Sequence, residues 1–119
     1  MSQFTIYHNP RCSKSRQTLA LLQDAGIEPK VVEYLKQPLS VEEIQLLMSQ
    51  LGLSSALPLT RTKEAEYKAL ALAGKSEADL LQALQHTPKL IERPIVVYGN
   101  KAVIGRPPEN VLPLIEASK

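Results

Sequence analysis

The chain up to Tyr34 alternates between strand-like and helix-like hydrophobic patterns, and this alternation leaves few folds open. A short β-rich run over Phe4–Ile6 ends at turn-forming residues. A helix is predicted from about 13 to 25, because leucines recur at helical spacing and Gly26 follows where a C-terminal cap is expected. A second strand is predicted over 31–34. This order is that of a βαβ unit, in which a right-handed crossover joins two parallel strands.

The middle of the chain is predicted to be helical. Ser40 and Glu43 have the spacing of a capping box, in which each side chain accepts a hydrogen bond from the backbone N–H of the other residue. The helix that they start is expected to end at Gly52. Two further helices are expected over about 63–73 and 77–85.

Near the C-terminal end the hydrophobic pattern becomes strand-like again. Strands predicted over 94–98 and 101–104 flank the pair Gly99-Asn100, which is typical of a tight hairpin. Pro107-Pro108 opens a last helix. Pro113 removes one backbone hydrogen bond from that helix, so we expect a bend or a short first turn there.

This order of elements predicts an α/β fold with a mixed four-stranded sheet. It consists of the βαβ unit, a helical insertion over about 40–90 and a ββα unit, which is a thioredoxin-like arrangement. The length of 119 residues and the hydrophobic fraction of 44% are ordinary for a globular domain. Residues 1–119 are therefore predicted to form a single domain.

The charge and hydropathy patterns exclude several classes of function. Fourteen Lys+Arg against 12 Asp+Glu give a net charge of +2, which lacks the basic excess typical of nucleic-acid binding. No apolar run approaches the roughly 18 residues that a membrane span needs, and the first residues lack the pattern of a secretion signal. We therefore expect a cytoplasmic, monomeric protein with no nucleic-acid or membrane partner.

Cys12 is the only cysteine, which excludes an intrachain disulfide and a Cys-rich zinc site. It lies between a predicted strand end and a predicted helix start, where unpaired N–H groups and the helix dipole favour an anion. Arg11, Lys14 and Arg16 add positive charge nearby. These features predict a reactive thiolate. The alternative, a buried cysteine that packs as a small apolar residue, fits the polar and charged flanks less well.

Two residues near Cys12 are candidates to act on its thiol. His8, at the end of the first strand, is a candidate general base or hydrogen-bond partner, and the alternative is a structural loop histidine. Ser15 stands where a second cysteine would complete a dithiol redox pair. Its hydroxyl is a candidate donor to the thiolate, and the alternative is an ordinary serine of the first helical turn.

The arginines have a restricted distribution. Two of the five flank Cys12, and the other three, Arg61, Arg93 and Arg106, lie at joints between loops and elements. Because the planar guanidinium group suits tetrahedral oxyanions, these positions indicate one shared anion site. The alternative is that the arginines end these elements for solubility.

Three segments carry a resemblance to a known family: His8-Asn9-Pro10-Arg11-Cys12-Ser13-Lys14-Ser15-Arg16, Arg93-Pro94-Ile95 and Gly105-Arg106-Pro107-Pro108. With them the chain resembles, over nearly its whole length, the glutathione/glutaredoxin-coupled arsenate reductases. The resemblance implies that Cys12 is the nucleophile. It assigns oxyanion binding to Arg61, Arg93 and Arg106. It assigns the tuning of the thiol to His8, Ser15 and Arg16.

The implied reaction is the reduction of arsenate, or of a similar oxyanion, in arsenic detoxification. Cys12 attacks arsenic to form a covalent adduct, glutathione adds as co-substrate, and arsenic becomes trivalent. Glutaredoxin then removes glutathione from Cys12 by thiol–disulfide exchange. No bound cofactor, metal or nucleotide is expected, because the chain has neither a Gly-rich phosphate loop nor metal-ligand spacing.

Two other functions stay open at this point. A glutathione-dependent thiol oxidoreductase with another substrate would need no arginine triad. A thioredoxin-like redox regulator that binds RNA polymerase would need a Cys-x-x-Cys pair, and Ser15 occupies the second position of that pair.

Pro94 begins a predicted strand beside the predicted site, and thioredoxin-like folds place a cis-proline at this joint. We therefore predict that the Arg93–Pro94 peptide bond is cis, a form found almost only before proline. A cis bond there would turn Arg93 toward Cys12.

Overall fold

A computed structural model describes residues 3–119. Met1 and Ser2, the start of the segment searched for a secretion signal, lie outside the described residues. The strands are β1 (Phe4–Tyr7), β2 (Lys30–Val32), β3 (Ile95–Tyr98) and β4 (Lys101–Ile104). The α-helices are α1 (Ser13–Asp24), α2 (Val41–Leu51), α3 (Ala65–Ala69), α4 (Glu77–His86) and α5 (Leu112–Ala117).

The chain forms two compact units. The first, called the sheet unit, combines the chain up to Gln37 with Arg93–Lys119 and contains the four strands, α1 and α5. The second, called the helical unit, is Pro38–Glu92 and contains α2, α3 and α4. Its bounds lie close to the helical insertion predicted over about 40–90, whereas the single domain stays a prediction.

The strands form one mixed sheet in the order β2-β1-β3-β4. β1 and β2 are parallel, and β3 is antiparallel to both β1 and β4. The predicted α/β fold with a thioredoxin-like mixed sheet is thereby confirmed. The prediction for the second strand was partly wrong, because β2 ends at Val32 and Tyr34 lies in the turn that follows. Tyr34 is 1% exposed, so its apolar character reflects burial rather than strand pairing.

One apolar cluster connects the sheet with α1 and α5. Ile6 of β1 lies opposite Val96 of β3, and both are fully buried. They share the cluster with Leu22 of α1 and Ile115 of α5. Full burial of such a side chain contributes about 1.5–3 kcal/mol. This packing holds α1 on the sheet and thereby fixes the position of its first turn.

The helical unit contains the predicted cap. Ser40 Oγ accepts a hydrogen bond from the Glu43 N–H at 3.1 Å, and Glu43 Oε1 accepts one from the Ser40 N–H at 3.0 Å. α2 ends at Gly52, whose φ of 75° lies in the left-handed region that favours glycine. α4 begins after Ser76, whose Oγ accepts a hydrogen bond from the Asp79 N–H at 3.2 Å.

Two helices differ from their predicted form. α3 is much shorter than the helix predicted over 63–73, because Ala71 adopts a φ of 51° and interrupts the helical backbone. The last helix begins as a 3-10 turn over Pro108–Val111, and α5 follows with Pro113 in its first turn. A proline there costs no backbone hydrogen bond. No described helix has both the length and the apolar composition needed to cross a bilayer.

Candidate active site

A tight turn delivers Cys12 to the start of α1. After β1, the His8 N–H donates to Val32 O at 2.8 Å, and the chain then reverses between Asn9 and Cys12. The Cys12 N–H donates to Asn9 O at 3.0 Å, and Asn9 Oδ1 accepts a hydrogen bond from the Arg11 N–H at 3.0 Å. Asparagine followed by proline is a favoured start for such a turn. The local sequence therefore fixes the nucleophile candidate at the helix N-terminus.

Cys12 is the N-cap residue of α1 and is half-buried. Its sulfur makes no side-chain cap hydrogen bond, but the backbone N–H groups of Ser15 and Lys14 act on the thiol. Burial raises the pKa of the thiol, yet the Ser15 N–H, the Arg93 guanidinium and the Lys14 N–H together outweigh burial and lower it. The environment of Cys12 thus stabilises the thiolate, which is the nucleophilic form.

Arg93 and Arg106 converge beside this thiol. Arg106 Nη1 lies 3.9 Å from Cys12 Sγ and 3.4 Å from Arg93 O. The contact with sulfur is long, and Arg93 has the larger influence on the pKa of Cys12. Burial lowers the pKa of Arg93, but the Tyr34 hydroxyl and the Cys12 thiolate outweigh it and raise that pKa overall. Arg93 therefore stays charged although it is half-buried.

Neither Arg93 nor Arg106 has a carboxylate partner among the residues that the structure describes. Within residues 3–119, no Asp or Glu oxygen lies within 4 Å of a side-chain nitrogen of Arg93 or Arg106. The Nε of Arg93 is buried and, among the described residues, has no hydrogen-bond partner. Two guanidinium groups with unused donors next to a thiolate form a site suited to a tetrahedral anion.

Close packing of Gly105 places Arg106 in the site. The Arg93–Pro94 bond is cis, as predicted, and the Arg106–Pro107 bond is also cis, which was not predicted. The Gly105 N–H donates to Pro94 O at 2.9 Å. A Cβ on Gly105 would lie 2.6 Å from Thr18 Oγ1 and 2.9 Å from Pro94 Cγ. Only glycine allows the end of β4 to approach α1 this closely.

His8 and Ser15 form a buried pair behind the turn. His8 Nδ1 lies 2.6 Å from Ser15 Oγ, which also accepts a hydrogen bond from the Asn9 N–H at 3.1 Å. The Ser15 hydroxyl is thus engaged with His8, and it is the Ser15 backbone N–H that acts on the thiol. Burial lowers the pKa of His8, Glu33 opposes this, and Arg16 adds to it. His8 is therefore neutral at neutral pH.

Arg16 lies on the solvent side of the turn between Asn9 and Cys12 and contacts it by a hydrogen bond. Its Nη1 donates to Pro10 O at 2.9 Å, and its backbone N–H donates to Cys12 O at 3.0 Å. The side chain is exposed. Arg16 therefore holds the turn in place, and its charge acts on His8.

Arg61 belongs to the helical unit, where two carboxylates hold it. Its Nε donates to Glu64 Oε1 at 3.0 Å, and its Nη1 lies 3.5 Å from Glu92 Oε1. The Arg61 N–H donates to Leu90 O and the Glu92 N–H donates to Leu59 O, each at 2.7 Å. The segments 59–61 and 90–92 thus form a short antiparallel bridge, which the sequence did not predict. The bridge brings Arg61 and Glu92 together. The charge of Arg61 is thus balanced by carboxylates within its own unit.

Tyr34 is a site residue that sequence analysis assigned to a strand. Its hydroxyl acts on the Arg93 guanidinium, although the two residues are far apart in sequence. A tyrosine combines a large apolar ring with a polar group, which is the only signal in the sequence that could have suggested such a role. No group of three His, Cys, Asp or Glu side chains in residues 3–119 could hold a metal ion.

The chain is similar to known proteins over most of its length. Residues 7–114 match the family model described as the ArsC family. The chain is 54% identical over 115 residues to the uncharacterized protein YfgD of Escherichia coli. That alignment covers 95% of this chain and 97% of YfgD. The chain is also 49% identical over 112 residues to an arsenate reductase of Haemophilus influenzae. That alignment covers 92% of this chain and 97% of the Haemophilus protein.

A solved structure gives the same result for the fold. The arsenate reductase from Vibrio cholerae superimposes with a TM-score of 0.91 at 51% sequence identity, covering 94% of this chain and 97% of that chain. The match of the family model spans most of the sequence, including Cys12, Arg93 and Arg106. This chain is a member of the ArsC family.

Proposed function

We propose that this protein is an arsenate reductase in which Cys12 is the nucleophile. The observation that carries the proposal is a pair of guanidinium groups, Arg93 and Arg106, beside a thiol of lowered pKa. Within residues 3–119 neither group has a carboxylate partner. Arsenate is a tetrahedral oxyanion, for which guanidinium donors are well suited. Relatives with similar sequences carry the name arsenate reductase, which supports arsenate as the substrate.

In the first step the Cys12 thiolate attacks arsenic and a sulfur–arsenic bond forms. Protons from solvent convert one arsenate oxygen into the water that leaves. Arg93 and Arg106 neutralise charge on the remaining oxygens, and such preorganised donors are usually the largest single contribution to catalysis. Pentavalent arsenic is not yet reduced at this stage.

Reduction requires a thiol from outside the chain, because Cys12 is the only cysteine. Glutathione is proposed as this co-substrate. Its thiolate bonds to the Cys12 sulfur, the sulfur–arsenic bond breaks, and the bonding electron pair stays on arsenic, which leaves in the trivalent state. The two sulfurs, now oxidised to a mixed disulfide, account for the two electrons that arsenic gains. Glutaredoxin then restores the Cys12 thiol by exchange.

His8, Ser15 and Arg16 are proposed to hold the turn in the conformation that favours the thiolate. The hydrogen bonds of Ser15 Oγ with His8 Nδ1 and with the Asn9 N–H support this role. So does the Arg16 contact with Pro10 O. These residues act through the backbone around Cys12, and none needs to touch arsenate.

Arg61 is proposed as a third substrate-binding residue, on the basis of the resemblance described above. Its ion pairs with Glu64 and Glu92 compete with any anion for the same donors. We therefore expect its contribution to substrate binding to be smaller than those of Arg93 and Arg106.

The proposal is tested by arsenate-dependent consumption of NADPH in the presence of glutathione, glutaredoxin and glutathione reductase. We expect turnover with arsenate and none with the Cys12→Ser variant, whose fold is checked by circular dichroism. Omission of glutaredoxin should stop multiple turnovers. Absence of arsenate-dependent NADPH consumption by the folded native protein would contradict the proposal.

A further inference from the structure

A cleft in the sheet unit is lined by the loop that leads to Cys12. It has a volume of about 310 Å³ and is lined by the loop His8–Arg11 and by Glu33, Leu35 and Lys36 after β2. This size is at the lower end of the range for small-molecule sites. Cys12 is not part of the lining, and no proposed step of arsenate binding uses this cleft.

The cleft wall and the nucleophile belong to one tight turn. Asn9, Pro10 and Arg11 line the cleft, and Cys12 completes the turn that they form. The first and last Cα atoms of such a turn lie within about 7 Å of each other. A tripeptide spans at most about 10 Å when extended. A ligand of that size in the cleft can therefore bring a thiol at its middle residue to the Cys12 sulfur.

The charges of the cleft suit a zwitterion with more than one carboxylate. Arg11 is exposed, and within residues 3–119 its side chain has no carboxylate within ion-pair distance. Lys36 Nζ lies 3.5 Å from Glu33 Oε1, with side-chain exposures of 79% and 38%. Such an exposed pair is weak and can exchange partners with a ligand. Two cations and one anion thus line the cleft, and the turn next to it carries Cys12, the only cysteine of the sequence.

We propose that this cleft binds the external thiol co-substrate as a small anionic peptide thiol of the glutathione class. Arg11 and Lys36 bind its carboxylates, Glu33 accepts from its ammonium group, and Leu35 and Pro10 contact its apolar atoms. This inference rests on the proposed function, since that function requires an external thiol.

The proposal can be tested without arsenate, by thiol–disulfide exchange at Cys12. The Cys12 thiolate attacks one sulfur of glutathione disulfide, the disulfide bond breaks, a mixed disulfide with Cys12 forms, and glutathione thiolate leaves. The second-order rate constant is measured by mass spectrometry for glutathione disulfide and for the uncharged bis(2-hydroxyethyl) disulfide. The ratio of the two rate constants cancels any change in the intrinsic reactivity of Cys12.

We expect Lys36→Glu and Arg11→Glu each to lower this ratio by about fivefold, and the double variant to lower it further. Lys101→Glu, the same charge change at an exposed position of β4, should leave the ratio unchanged. The selectivity of the native protein for glutathione disulfide should fall as salt is added.

A ratio that is the same in the native protein and in both cleft variants would overturn the proposal, whether the cleft is empty or serves a protein partner. A ratio that falls equally in Lys101→Glu would also overturn it, because net charge would then explain the effect. If the cleft variants lower the ratio but the native protein does not turn over arsenate, the proposed function alone is contradicted. If the native protein turns over arsenate but the cleft variants leave the ratio unchanged, only the proposal that the cleft binds the thiol co-substrate is contradicted.

Discussion

The arginines of the sheet unit and the arginine of the helical unit have opposite surroundings. Arg93 and Arg106 lie beside the Cys12 sulfur and, among the described residues, have no carboxylate within 4 Å. Arg61 contacts two carboxylates, Glu64 and Glu92, at 3.0 and 3.5 Å, and its side chain is only 19% exposed. The same residue type thus occupies two different environments in one short chain.

The difference teaches that position in the sequence alone does not make an arginine an anion-binding residue. A carboxylate that already uses the donors of a guanidinium group competes with a substrate for them. Removal of one partner from a largely buried ion pair also leaves an uncompensated charge, so substitution of such an arginine is expected to lower stability. Substitutions in the two environments should therefore affect different measurements.

The largest effect is expected at the carboxylate-free pair. Loss of a guanidinium that stabilises charge in the transition state costs about 2–4 kcal/mol. Arg93→Ala and Arg106→Ala should each lower kcat/KM for arsenate accordingly, as measured in the coupled NADPH assay. Lys101→Ala removes the same charge from an exposed position of β4 and should have little effect. Equal losses in all three variants would indicate a general charge effect instead of a site.

A smaller effect, on stability, is expected when the packing around Gly105 is disturbed without loss of a guanidinium group. Gly105→Ala places a Cβ 2.6 Å from Thr18 Oγ1 and 2.9 Å from Pro94 Cγ, and overpacking of this kind costs about 1–3 kcal/mol. Urea denaturation should show a corresponding fall in the free energy of unfolding. Because Thr18→Ala removes the nearer clash, the double variant should recover part of the loss. Native stability of Gly105→Ala would contradict this account of the packing.

The smallest effect on catalysis is expected at Arg61. Its donors are already used by Glu64 and Glu92, so Arg61→Ala should lower kcat/KM by less than about tenfold. The free energy of unfolding should fall by about 1 kcal/mol, because two partly buried carboxylates lose their cation. A catalytic loss as large as that of Arg93→Ala would show that the carboxylates do not limit this arginine, and the comparison would fail.

Local sequence signals were sufficient for much of the fold and for the position of Cys12. Turn-forming residues between a strand and a helix predicted that Cys12 lies at the start of α1, and the structure places it at the N-cap. The capping box of Ser40 and Glu43 likewise depends only on neighbours in the chain. Such interactions close within one helical turn, so a single sequence contains all their partners.

Other features depend on partners that are distant in sequence. The Tyr34 hydroxyl acts on Arg93, and the Glu92 carboxylate contacts Arg61. Neither contact follows from local sequence patterns. The requirement for glycine at position 105 arises only because Thr18 and Pro94 approach it in the folded chain. The positive φ of Ala71, just beyond the end of α3, also has no local signal, since alanine favours helix.

The most direct test of the central claim is the pH dependence of Cys12 alkylation by iodoacetamide. Because the helix N-terminus and Arg93 lower the pKa of the thiol below its usual value of 9.0, alkylation should be rapid well below pH 8. Arg93→Ala should move the midpoint to higher pH, whereas Lys101→Ala should leave it in place. A rate that stays flat and low up to pH 8 in the native protein would contradict the account of Cys12 as a stabilised thiolate.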